Sequence, residues 1–171
     1  MRLNLTLRTA VSLVVGLVIT FAQAHTAGLG LTALASYGVG LALIGLLAYL
    51  LQRKTKEALL NLPLSALAMA VGLVAALAPA SEALTYLRFL IVAWGLLSGA
   101  YELYLAVRTG RKTVRGKEQT ISAILALILG AFYLAVPLRE LDAVGFFGAY
   151  LIVSAVHLGI AAASERVGKS S

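Results

Sequence analysis

The chain has 171 residues, 61% of them hydrophobic and 12% charged, with a formal net charge of +7 and no cysteine. A soluble domain is about 45–50% apolar and about 25% charged, so a water-soluble globule is excluded, as are disulfides and thiol chemistry. The apolar residues also come in continuous runs, whereas the strands of a membrane β-barrel alternate.

Six runs approach the roughly 20 residues that an α-helix needs to cross a bilayer: about 8–25, 31–51, 60–79, 84–107, 120–137 and 142–163. The first, "MRLNLTLRTAVSLVVGLVITFAQAHT", has the outline of a cleavable secretory signal, but its place in an internal repeat predicts a retained first helix. The second carries Gly40 and Tyr49 and runs into Arg53, Lys54 and Lys56. The third has Gly72 at its middle and Pro79 at its end. The fourth, the most polar in side chains, holds Trp94, Gly95, Ser98, Gly99, Tyr101, Glu102 and Tyr104. It runs into Arg108, Arg111, Lys112, Arg115 and Lys117. The fifth has Gly130 and Pro137; the sixth follows Arg139, Glu140 and Asp142, contains His157, and ends near Arg166 and Lys169.

With alternating crossings, twelve of the 14 basic residues, Arg2 and Arg8 among them, fall on one side. The positive-inside rule places both termini in the cytoplasm. The expected partners are the bilayer itself and the anionic lipid headgroups that such loops attract. The basic stretch "RTGRKTVRGK" lacks interleaved aromatics, so nucleic acid is not expected.

The runs repeat. "VGLALIGLLAYLLQR" from Val39, "WGLLSGAYELYLAVR" from Trp94 and "AYLIVSAVHLGIAAA" from Ala149 follow one another at a step of 55 residues, and Gly16, Gly72 and Gly130 mark the odd-numbered runs. Proline ends a helix because it lacks an N–H and restricts its predecessor, which explains Pro79 and Pro137. The expected fold is therefore an all-α membrane protein, a single domain over 1–171. It comprises six transmembrane helices in three repeated hairpins, about 8–51, 60–107 and 120–163.

In the stretches 93–112, 124–137 and 145–163 this pattern resembles the HdeD-like family of short-repeat membrane proteins of the bacterial inner membrane. The resemblance implies acid-stress tolerance and supplies no catalytic motif. The expected function is that of a non-enzymatic, multi-pass inner-membrane protein; the alternative is a small-solute or proton transporter or channel.

A charged side chain at a helix centre costs about 2.5–3.5 kcal/mol on the insertion scale, so Glu102 needs a reason. The 55-residue step sets His157 opposite it. Small residues beside both mark packing faces. Glu102 and His157 are the expected intramembrane polar pair, with Ser98, Tyr101 and Tyr104 as supporting hydrogen-bond partners. Gly95 and Gly99 form a GxxxG pair that serves either packing within the chain or a homo-oligomer face. Trp94 and most tyrosines read as interface anchors, Arg88 as a snorkelling cation, and Asp142 as the N-cap of the last helix. No metal or cofactor site is expected, and no P-loop, HExxH or GxSxG motif occurs.

Overall fold

The structure, a computed structural model, describes residues 2–51, 55 and 59–167. Arg53, Lys54, Lys56 and Lys169, counted above among the loop cations, lie outside the described residues. Among the described residues six α-helices follow in order: α1 (Arg2–Phe21), α2 (Ala27–Leu51), α3 (Leu62–Leu77), α4 (Ala83–Thr109), α5 (Val114–Ala135) and α6 (Glu140–Val167), with a 3-10 turn at Ala80–Glu82 before α4. All but α3 are long and apolar enough to cross a membrane. Their outward faces carry bare apolar side chains such as Phe21, Leu77, Ile128 and Leu134. These are the features of a multi-pass membrane protein.

The third run forms a shorter helix than its 20 apolar residues suggest. Pro63 sits in the first turn of α3 and Pro79 follows its C-cap, Ala78, which is extended. Sixteen residues rise only about 24 Å, at about 1.5 Å per residue. The first helix errs the other way. It takes in residues 2–7, so that Arg8 lies inside α1 rather than in front of it.

Helices α2, α4 and α6 meet along the middle of the bundle. A Cβ placed on Gly30 would lie 2.6 Å from Leu87 Cδ2 and 3.0 Å from Val144 Cγ2. The Tyr37 ring stands edge-on to Trp94 and to Phe147, with centroids 5.7 and 6.2 Å away. The central positions are 30, 34, 37 and 41 of α2, 87, 91, 94 and 98 of α4, and 144, 148, 151 and 155 of α6. All are buried, and each lies 57 residues from its counterpart. Steps of three and four residues make the seam by which helices pack knobs into holes. This register is two residues longer than the 55-residue step of the sequence matches. At the level of Glu102 it places Gly45 and Gly159, not His157.

The remaining helices pack outside this trio, and the closest pairs are α2 with α3, α4 with α5, and α1 with α6. Glycines set the approach. A Cβ on Gly38 would lie 2.9 Å from Gly72 Cα, one on Gly95 2.6 Å from Gly130 N, and one on Gly16 2.9 Å from Ile152 Cδ1. In lipid, helices associate through such close contact because the tails are as apolar as the side chains. Gly95 and Gly99, which faces Ala123 and Leu127, are thus engaged within the chain. The GxxxG pair is not a free dimer face.

Trp94, Tyr37 and Tyr133 are buried in the core, which corrects their reading as interface anchors. Tyr37 and Trp94 pack ring against ring at the centre of the trio, and Tyr133 is buried on α5. The Tyr133 hydroxyl donates to the Ala143 carbonyl. Tyr104 alone among the tyrosines and tryptophan near Glu102 is exposed.

Candidate functional site

The site lies at the end of the bundle that carries the α4–α5 turn, with Arg108, Arg111, Lys112, Arg115 and Lys117. Gly110, at φ 94°, lets the chain leave α4 in a conformation that a Cβ would strain. Thr113 then caps α5, its hydroxyl accepting from the Gly116 N–H at 3.0 Å. Because α5 starts at Val114, Glu118 and Gln119 fall on the helix, and both are buried.

Glu102, six residues before Arg108, lies about 9 Å along the axis from that end. It is buried, and its partner is Arg8 of α1, whose Nη2 donates to Oε1 at 3.0 Å. The Arg8 side chain is 20% exposed and that of Glu102 8%, so most of both charges has left water. Attraction in such surroundings roughly offsets desolvation, while loss of one partner strands the other charge. At this level Gly45 lies against Ser65 of α3 and Gly159 near Thr9 of α1, and the long Arg8 side chain reaches from α1 to α4.

Two small adjoining cavities, of about 50 and 30 Å³, surround the pair. Asn4, Arg8, Asn61 and Leu64 line both. The first also takes in Glu102, Arg115, Glu118 and Gln119, and the second Gly45 and Ser65. Five helices or their leading turns therefore supply one polar chamber. A chamber of this size holds a few waters or one small polar group; it is far below the roughly 300–1,000 Å³ of a drug-sized pocket. Beyond Glu102 the centre carries the Ser98 and Tyr37 hydroxyls beside Trp94 and Leu151, and then turns apolar through Leu34 and Ile91, and Leu87 and Val144, all buried.

The other expected site residues take different partners. The His157 Nε2–H donates to the Glu118 carbonyl at 3.2 Å, tying α6 to the first turns of α5, and shares no hydrogen bond with Glu102. A carbonyl only accepts, so the proton sits on Nε2. Ser98 donates to the Trp94 carbonyl in its own helix. Tyr101 donates to the Leu60 carbonyl at 2.7 Å, fastening the turn before α3. The Tyr104 hydroxyl accepts from Arg108 at 3.0 Å. None of the three supports Glu102.

At the opposite end, Glu140 caps α2 by accepting from the Ala27 N–H. Asp142 is not an N-cap, since α6 already begins at Glu140; it lies 3.7 Å from Arg139. Arg88 reaches the Val136 carbonyl at the end of α5, at 3.4 Å, rather than simply snorkelling. Sequence reasoning missed Arg8, Asn61, Glu118 and Gln119, all of which it had set in loops or left unremarked. The signal for the last two was the Thr113-x-x-Gly116 turn, which starts a helix before the apolar run begins. Comparison with protein-family models, curated proteins and solved structures gives no match.

Proposed function

We propose that this chain is a non-enzymatic, multi-pass protein of the bacterial inner membrane, with both termini cytoplasmic, that serves acid-stress tolerance through the Arg8–Glu102 pair. The observation that carries this reading is the pair's position. It joins α1 to α4 at the inner limit of a polar chamber, beneath a centre whose far half is apolar. A proton arriving from the chamber side would neutralise Glu102 and remove the attraction that holds Arg8. The pair is then a latch between the first helix and the rest of the bundle, and acid opens it; above it the centre holds the buried Ser98 and Tyr37 hydroxyls before it turns apolar. The resemblance to the HdeD-like family and the clustering of cations at this end support the same orientation. The 57-residue register of α2, α4 and α6 supports an origin in three repeated hairpins.

Transport of protons or small solutes is the second reading, and one feature favours it: the Tyr37 and Ser98 hydroxyls lie above the pair. The buried layers of Leu34 and Ile91, and of Leu87 and Val144, weigh against a path in this conformation. Survival of cells at low pH separates the readings from a purely structural role. Glu102→Gln removes the charge but keeps an oxygen that can accept from Arg8, so it should insert and fold, yet lose the pH-dependent protection. If the variant protects as well as the parent, the latch is wrong. Proton flux in vesicles that matches survival across variants would instead favour transport.

A further inference from the structure

Three carboxamides meet in the chamber: Asn4 from α1, Asn61 from the turn before α3, and Gln119 from α5. Their hydrogen bonding is unusual. Gln119 is 7% exposed, and its Oε1 is buried without a partner. Asn61 occupies the N-cap position of α3, where asparagine normally binds the helix's free N–H groups, yet its side chain makes no cap hydrogen bond. The unsatisfied Gln119 oxygen breaks the rule that buried polar groups find partners, and the half-buried Asn61 leaves its cap unused beside it. Such breaches concentrate where a chain binds something.

The character of that ligand follows from the walls. The two arginines and two glutamates of the lining cancel, and Arg8 is already paired with Glu102. Carboxamides both donate and accept without charge. They suit a small, uncharged, hydroxyl-bearing group, and the Gln119 oxygen asks for a donor. The chamber also continues sideways. A groove of about 200 Å³ between the ends of α1 and α2, lined by Leu3, Leu7, Leu47 and Leu51, shares Asn4 and Ile44 with the smaller cavity. The groove has room for the first carbons of an alkyl chain whose head points to the carboxamides, the rest of the chain lying in the bilayer.

We infer that the chamber and groove together bind a single-chain, uncharged amphiphile with a hydroxylated head, such as a monoacylglycerol. The natural lack of cysteine makes a protection assay direct. Ser65→Cys, a near-isosteric change in the smaller cavity, is alkylated with a small maleimide in phosphatidylcholine nanodiscs. Monooleoylglycerol at about four times its Kd should slow labelling about fivefold, as 1 + [L]/Kd. Free glycerol and oleate should not. Gln119→Leu in the same background should abolish protection while thermal stability and the basal labelling rate are kept. Asn4→Leu serves as the second variant should the first fail to fold. Equal protection by oleate overturns the uncharged head. Protection by glycerol overturns the alkyl chain. Absence of protection by monooleoylglycerol, or its survival in both variants, overturns the site.

Discussion

Two levels of the same three-helix seam are built in opposite ways. At one, Tyr37 of α2, Trp94 of α4 and Leu151 of α6 fill the centre completely. At the other, about two turns nearer the cationic end, the register places Gly45, Glu102 and Gly159. Two positions are reduced to hydrogen, the third carries a carboxylate, and an arginine enters from outside the trio. Filling the first level maximises contact between helices, which is what holds a bundle together in lipid. The second gives up a large central side chain for a polar chamber, while Gly45 lets Ser65 of α3 come close. A chain under selection for stability alone would fill both.

The largest effect should come from breaking the pair. Arg8→Ala or Glu102→Ala leaves one buried charge without its partner, a loss of about 3–5 kcal/mol in reversible unfolding from mixed micelles. The double change Arg8→Met with Glu102→Leu should recover most of it, because the stranded charge is gone. If the single changes cost no more than the double one, the pair is not held away from water and the contrast between the two levels fails. Next comes the filled side. A leucine at Gly95 must displace the Gly130 backbone, only 2.6 Å from where its Cβ would sit, and overpacking of this kind costs about 1–3 kcal/mol. It should loosen α4 from α5 and leave the labelling of a cysteine at Ser65 unchanged.

This contrast was half legible in the sequence. Composition and run length showed six apolar helices, and the rarity of charge singled out Glu102. Its partner was hidden. Arg8 stands at the edge of an apolar run, where the alternation of Leu3, Leu5 and Leu7 with Asn4, Thr6 and Arg8 looks like neither helix nor span. Only tertiary packing decides that α1 continues through it. His157 was set opposite Glu102 by matching glycines and tyrosines, residues that apolar helices share by composition. The register fixed by which residues are buried differs by two positions, and two positions on a helix turn a side chain to another face. Trp94 was misplaced for a related reason: an indole suits either a lipid interface or a crowded centre, and the sequence does not say which side of the helix faces inward.

A smaller effect tests the end remote from the chamber. Glu140→Gln weakens a charge-assisted cap on the Ala27 N–H, and a cap is worth about 0.5–2 kcal/mol. The loss should appear as faster amide exchange in the first turn of α2, with acid survival intact. A change in acid survival would mean that the far end is coupled to the latch.

The smallest effect separates the two glycines of the open level. Both stand at the register of Glu102, but their neighbours differ. A Cβ on Gly45 would collide with the Ser65 side chain, whereas one on Gly159 would meet only Thr9 Cγ2, at 3.5 Å, an ordinary contact. Replacing a glycine inside a helix by alanine gains about 0.5–1 kcal/mol when nothing is displaced. Gly159→Ala should therefore stabilise slightly, and Gly45→Ala should not, because Ser65 must turn away from the Asn61 carbonyl to which it donates at 3.1 Å. The two alanines have the same chemistry, so opposite signs would show that this level is closely packed on the α2 and α3 side and slack on the α1 and α6 side. Equal gains would mean that the opening is only slack in the packing, distributed evenly around the carboxylate.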